Sequence, residues 1–178
     1  MAFAANSVHF LFLCLAVAVF PAVDVSAAGG SARGDDEAVL VDPRLGLAFP
    51  RVVREAARLL ENGACRLLLR DFSDDRTGLP LEETLAALDT SPAIFLRSIR
   101  FRSGREDPRC FSPYRMAYVV PGNRDVVICP ALYNGVHRQY GDSTVVIVLH
   151  EALHAMGLGE NPPGSREITT AVEHRCSR

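Results

Sequence analysis

Two histidines spaced four residues apart, with a glutamate after the first, constrain this chain more than any other feature. They are His150, Glu151 and His154, in the run His-Glu-Ala-Leu-His. On an α-helix, residues i and i+4 lie one turn apart on the same face. Both imidazoles can then bind one metal ion, and Glu151 can act as a general base on a water at that metal. The spacing therefore predicts a helix that carries a metal site.

The residues before this motif favour a different conformation. Residues 145–148 read Val-Val-Ile-Val, and β-branched side chains are typical of strands. The histidines can work as a pair only on a helix, for which Asp142 or Ser143 is a suitable N-cap and Gly157 a suitable end. We therefore predict a helix over residues 143–156. Because apolar residues occupy every face except that of the histidines, we expect this helix in the middle of the core.

The N-terminus predicts export. Residues 10–20 form an apolar run that is too short to span a bilayer as a helix, and residues 25–27 offer small side chains for cleavage. We expect a signal peptide over residues 1–27, a flexible Gly-rich spacer over 28–40 and one domain over 41–178. The protein would then be secreted or otherwise extracytoplasmic. An uncleaved membrane anchor is the alternative interpretation.

Four cysteines remain after the signal segment, and their even number suggests two disulfides. No two of them have the close spacing of a zinc site, and three pairings are open. They are Cys65, Cys110, Cys129 and Cys176. The net charge of −2 gives no indication of a nucleic-acid partner or of membrane binding beyond the signal segment, and the oligomeric state stays open.

The rest of the chain predicts an α+β domain, with a few-stranded, mainly antiparallel sheet packed on the central histidine-bearing helix and further helices around it. A hairpin is expected from 115–120 and 125–129, with a four-residue turn, and residues 65–72 are ambiguous between helix and strand. The remaining elements are helices at 50–63, 81–88, 91–97 and 165–175, and a strand at 99–102.

The longer pattern His-Glu-x-x-His-x-x-Gly-x-x-Glu, over residues 150–160, resembles the zincin metallopeptidases and has the spacing of the metzincin clan. The following residues are also similar to those of uncharacterised exported bacterial proteins with the run Gly-Leu-Gly-Glu-Asn-Pro-Pro. The resemblance implies a zincin-like fold and Zn²⁺ held by His150, His154 and Glu160. It also implies hydrolysis of a peptide or protein substrate, with Glu151 as the general base. The chain departs from the metzincins because no methionine follows Glu160.

Other assignments stay open on the sequence. Glu173 has the spacing of the third ligand in gluzincins, and Glu167 is a further candidate. The hairpin at 115–129 is the best candidate to pair with an extended peptide. An exported zinc-binding or interaction module without catalysis is the alternative function. Candidates to stabilise the oxyanion of a hydrolytic intermediate are Tyr133, His137, Tyr140 and His174.

Overall fold

The computed structural model describes residues 38–132 and 143–176. The predicted signal peptide and most of the predicted spacer lie outside these residues. The last residue of the spacer, Leu40, already belongs to the first strand. No helix in the described part of the chain is both long enough and apolar enough to cross a membrane.

The fold is α+β, as predicted, with four strands and seven α-helices among the described residues. The strands are β1 (Leu40–Val41), β2 (Arg100–Ser103), β3 (Ala117–Tyr118) and β4 (Asp125–Ile128). The helices are α1 (Phe49–Leu60), α2 (Gly63–Arg66), α3 (Leu68–Asp71), α4 (Leu81–Ala87), α5 (Pro92–Arg97), α6 (Ser143–Ala155) and α7 (Ser165–Cys176).

The sheet is mixed, so the prediction of a mainly antiparallel sheet is wrong. Its strand order is β1-β2-β4-β3, and only the β3–β4 pair is antiparallel. Five helices separate β1 from β2, and a crossover of this kind lets the second strand run in the same direction as the first. The predicted hairpin is present as β3 and β4, but its first strand is only two residues long.

Helix α6 lies in the middle of the core, as predicted. Val148, Leu149, Ala152 and Leu153 are each at most 1 % exposed. The helix packs against α1, α7, β3 and β4, so that its apolar faces meet neighbours on several sides. Burial on this scale stabilises each large apolar side chain by about 1.5–3 kcal/mol, which outweighs the weak strand preference of the valines.

Capping side chains set several helix boundaries. The Ser91 hydroxyl accepts the N–H of Ile94 at the start of α5, and the Asn62 side chain accepts the N–H of Ala64 at the start of α2. The ambiguous stretch at 65–72 is helical, as two short helices that bury Leu68 and Leu69.

Two disulfides are present, as predicted, and their pairing is now assigned. Cys65 pairs with Cys176 and ties α2 to the last residue of α7. Cys110 pairs with Cys129 and ties the segment before β3 to the end of β4. An ion pair between Arg175 and Asp71 adds a further link between α7 and α3. The C-terminal end of α7 is therefore fixed to α2 and α3.

Candidate metal centre

The two histidines of α6 converge on one point. Their Nε2 atoms are 3.1 Å apart, and both side chains are buried at 6–7 % exposure. A carboxylate oxygen of Glu160 joins them, and the three ligand atoms lie within 4.8 Å of one another. These residues form a group that could hold a metal ion, and they are the three that the resemblance to the zincins implies as ligands.

The second nitrogen of each imidazole already has a partner. His154 Nδ1 lies 2.7 Å from the carbonyl oxygen of Leu158, and His150 Nδ1 lies 3.0 Å from Thr169 Oγ1. Hydrogen bonds of this kind fix the orientation of metal-ligating histidines. Both Nε2 atoms are thereby turned towards the same space.

A sharp turn after α6 brings Glu160 back to the histidines. Gly157 has a φ of +120°, a conformation that L side chains rarely adopt. Its carbonyl accepts the N–H of Asp75 at 2.9 Å, and Leu158 forms a β-bridge with Asp74. The loop that contains Asp74 and Asp75 therefore supports the turn from outside, and Gly157 is needed both for the backbone angle and for this close approach.

The competing third ligands lie elsewhere. The Glu167 carboxylate accepts the N–H of Gly164 at 2.7 Å, and so caps the start of α7. Glu173 is exposed near the end of α7 and does not belong to the ligand group. The structure thus brings Glu160, and neither of the alternatives, to His150 and His154.

The donor set suits zinc. Two imidazoles and one carboxylate are common zinc ligands, and a catalytic site leaves the fourth position open. Two nitrogens bound to one tetrahedral zinc at their usual length are about 3.4 Å apart, close to the 3.1 Å between the histidines. The Nδ1 atoms already make hydrogen bonds, so the Nε2 atoms are the nitrogens available to bind a metal ion, as this ligand set requires.

Burial controls the charge of the groups at this site. It lowers the pKa of His150 to about 4, with a further contribution from neighbouring His154. It also raises the pKa of Glu151 to about 8, with a further contribution from the charge of Glu160. Without a cation both groups are therefore neutral near pH 7. A cation bound beside Glu151 would favour its charged form again.

The ligands lie on the floor of an open cleft of about 740 Å³. Glu151 also lines it, and β3 with its flanking residues 114–121 forms one wall. The N–H of Gly122, in the turn after β3, donates to the carbonyl of His154 at 2.9 Å. This bond joins the wall directly to the metal-binding helix.

Tyr118 is held in place on that wall. Its hydroxyl donates to Asp107, and the Arg109 guanidinium lies 4.3 Å above its ring. Burial and the Asp107 carboxylate raise the pKa of Tyr118 to about 12, so that its hydroxyl keeps its proton. The ring also packs against Cys110, Val127 and Cys129, so that these contacts hold β3 in place beside the cleft.

Other predicted site residues are not in the cleft or lie outside the described residues. Tyr133, His137 and Tyr140 belong to the latter group. His174 is exposed on α7 and does not line the cleft. Sequence reasoning missed Thr169, which contacts His150, because nothing in the spacing of the metal motif refers to the following helix.

No protein-family model, curated protein or solved structure matches this chain. The resemblance to the zincins rests on residues 150–160, and a zincin-like fold stays a prediction.

Proposed function

We propose that this protein is an exported zinc-dependent peptidase that hydrolyses peptide bonds in the cleft above α6. One observation carries the proposal. Two buried imidazoles and the exposed carboxylate of Glu160 converge near a second carboxylate, that of the buried Glu151, on the floor of an open cleft. A purely structural metal site is usually closed by four protein ligands, whereas the described residues supply three ligands to this group, which faces the cleft.

His150, His154 and Glu160 would hold the ion. A zinc ion bound there supplies Lewis-acid chemistry, since it lowers the pKa of a water towards 7 and polarises a carbonyl group. The two hydrogen bonds at the Nδ1 atoms keep both imidazoles oriented towards the ion. The two imidazoles are buried, whereas Glu160 is exposed to solvent at the cleft.

Glu151 would act as the general base. It lies directly after the first histidine on α6 and lines the same cleft. Its carboxylate takes a proton from the attacking water and returns that proton to the leaving amine. Burial raises the pKa of Glu151 to about 8, and a cation held by the three ligands would oppose this shift, so that Glu151 could accept a proton near pH 7.

An extended peptide would pair with β3, which is an edge strand of the described sheet. Met116 accepts a hydrogen bond from Cys129 of the neighbouring chain segment, and Tyr118 is paired with Val127. Backbone groups alternate in direction along an antiparallel strand, so those of Ala117 and Val119 point away from β4. No backbone partner for them is present among the described residues, so they could bind the backbone of a substrate strand, as in β-strand addition.

The two disulfides support export. Disulfides persist in oxidising compartments and are rare in the cytosol. Both bridges link segments that shape the cleft, since Cys176 anchors α7 and Cys110 precedes β3. The apolar N-terminal run agrees with this proposal.

Cleavage of a peptide library by the purified protein, with and without a chelator, tests the proposal. We expect cleavage that the chelator abolishes and added zinc restores. The variant Glu151→Gln should keep the metal and lose cleavage by a factor of at least about 100. A protein that binds zinc but cleaves no peptide would instead be a non-catalytic zinc-binding module.

A further inference from the structure

We propose that Asp75 is a specificity-determining residue, whose carboxylate binds an arginine or lysine side chain of the peptide beside the metal site. The inference rests on the proposed function and deepens it, because it names the class of peptide that the cleft would take. It also gives a role to a loop that lies outside the metal motif.

Asp75 lies at the edge of the cleft, beside the turn that carries Glu160. Its N–H donates to the carbonyl of Gly157 at 2.9 Å, which fixes its backbone to that turn. Its side chain lies against Gly159, since a Cβ atom built on Gly159 would be 2.8 Å from Cγ of Asp75. Gly159 directly precedes Glu160, and Asp75 and Glu160 line the same cleft. The carboxylate of Asp75 is therefore held close to the metal-binding group.

This carboxylate is available to a ligand. Among the described residues, no hydrogen-bond donor and no cation is paired with it, and Asp75 is exposed. The neighbouring Asp74 differs, because it is buried and accepts the N–H groups of Arg76 and Thr77. The Arg76 side chain does not line the cleft and contacts Gly122, where a Cβ atom would be 3.2 Å from its Nη2. The negative charge of Asp75 is therefore presented to the cleft.

The charge of Asp75 would remain available after a metal ion is bound. Glu160 belongs to the metal-binding group, so a bound ion would offset its charge. Asp75 does not belong to that group. A peptide side chain that extends past the ligands would therefore meet the carboxylate of Asp75, which attracts a cationic side chain and repels an anionic one.

The arginine of the cleft lies towards the other end of the wall that β3 forms. Arg115 precedes β3, and its guanidinium donates to the carbonyl of Arg109 at 3.1 Å. The loop of Asp75 lies at the end of the wall that follows β3, since Arg76 contacts Gly122. No ion pair joins Arg115 to Asp75 in the described part of the chain. The cleft is thus acidic at the end nearest Glu160, and this polarity favours a basic peptide residue there.

Binding of a random peptide library to the zinc-loaded Glu151→Gln variant tests the inference without relying on cleavage. The variant is immobilised, and the retained peptides are sequenced by mass spectrometry. We expect peptides with arginine or lysine to be enriched about fivefold over those with aspartate or glutamate, as for an ion pair at an exposed carboxylate.

Substitutions of Asp75 in this background assign the enrichment to one carboxylate. Asp75→Asn has nearly the same shape and should remove the enrichment, and Asp75→Arg should reverse it in favour of acidic peptides. Asp89→Asn removes the same charge from an exposed position outside the cleft, so it is the matched control and should keep the enrichment. Zinc content and the urea midpoint should be the same in Asp75→Asn and Asp89→Asn, which separates lost recognition from misfolding.

Cleavage of the same library by the wild-type protein locates the basic residue relative to the cleaved bond. Because Asp75 lies against the residue before Glu160, we expect arginine or lysine within about two residues of that bond, a reach of roughly 7 Å along an extended chain. Cleavage sites without this preference would contradict the inference.

Equal retention of acidic and basic peptides, no retention of any peptide, or an enrichment that persists in Asp75→Asn would overturn the inference. The proposed peptidase stands in each of these cases if the zinc-loaded wild-type protein cleaves the library. Conversely, an enrichment that depends on Asp75, together with no cleavage by zinc-loaded wild type, supports the inference and removes the proposed function.

Discussion

Gly157 lies directly against the buried side chain of Asp74. A Cβ atom built on Gly157 would be 2.4 Å from Oδ2 of Asp74 and 2.7 Å from its Cγ. Asp74 cannot easily yield, because its other oxygen accepts the N–H groups of Arg76 and Thr77. The turn that returns Glu160 to the histidines is therefore built on a contact between two loops far apart in the sequence.

Gly157→Ala should disturb both the fold and the metal site. The positive φ and the contact with Asp74 both oppose a methyl group, and together we expect a loss of about 2–3 kcal/mol in the free energy of unfolding. Zinc affinity should fall as well, because Glu160 follows Gly157 by three residues. Urea unfolding of metal-free protein and chelator competition measure the two effects. Gly63→Ala is the control, because a Cβ atom built on Gly63 meets no other group within 4 Å. This substitution should leave the free energy of unfolding and the zinc affinity nearly unchanged.

Glu160→Ala should weaken zinc binding more than any substitution of a supporting residue. Loss of a supporting hydrogen bond typically costs 10–100-fold in metal affinity, so we expect a loss of more than about 100-fold for a ligand. Glu173→Ala removes the same side chain from an exposed position on α7 and should bind zinc normally. Metal analysis after dialysis would measure zinc per chain, with iron as the competing metal for this ligand set. Equal zinc retention in the two variants would contradict the assignment of Glu160.

The metal-free protein should lose stability as the pH rises from about 6.5 to 8. The pKa of Glu151 is about 8 in the folded protein against an ordinary value of 4.5. Between these two pH values the folded state holds a proton that the unfolded state releases. The contribution of Glu151 to the free energy of unfolding is therefore at its full value below pH 4.5 and is lost as the pH rises towards 8. For His150 the sign is opposite: its contribution is lost as the pH falls from 6.5 towards 4.

The contributions of Glu151 and His150 change in opposite directions below pH 6.5. The loss of stability above pH 6.5 therefore comes from Glu151, and it amounts to about 2 kcal/mol in the free energy of unfolding. Urea unfolding of chelator-treated protein at several pH values measures it. Glu151→Gln has no proton to lose and should be flat over the same window. A wild-type profile that is equally flat would contradict the raised pKa of Glu151.

The metal-binding face of α6 could be predicted from the sequence, whereas the residues that hold this face and the following turn in place could not. The spacing of His150 and His154 dictates a shared helix face, and helix α6 forms where it was expected. The contacts of Thr169 with His150 and of Asp74 with Gly157 depend on how distant segments pack, and no periodicity in the sequence encodes them. The strand β1 and its parallel pairing with β2 were not predicted for the same reason, since they depend on how five intervening helices return the chain to the sheet.

The two disulfides should contribute unequally to stability. The Cys65–Cys176 bridge closes a loop with a separation of 111 residues, against 19 for Cys110–Cys129. In the chain-entropy account, a longer loop constrains the unfolded chain more, by about 1 kcal/mol or more over this range. We expect the double variant Cys65→Ala, Cys176→Ala to unfold at lower urea concentration than Cys110→Ala, Cys129→Ala. It should also bind zinc more weakly, because α7 carries Thr169.

Substitution of one edge-strand residue should separate substrate binding from folding. The N–H of Ala117 points away from β4, so Ala117→Pro removes a donor that the sheet does not use, and edge strands tolerate proline at such positions. We expect a stable protein that retains zinc and shows a drop in kcat/KM of roughly tenfold, from the loss of one substrate hydrogen bond. Tyr118→Pro is the contrasting variant, because its N–H faces β4 and its loss should destabilise the wall. Wild-type cleavage by Ala117→Pro would show that the substrate does not pair with β3 at this residue.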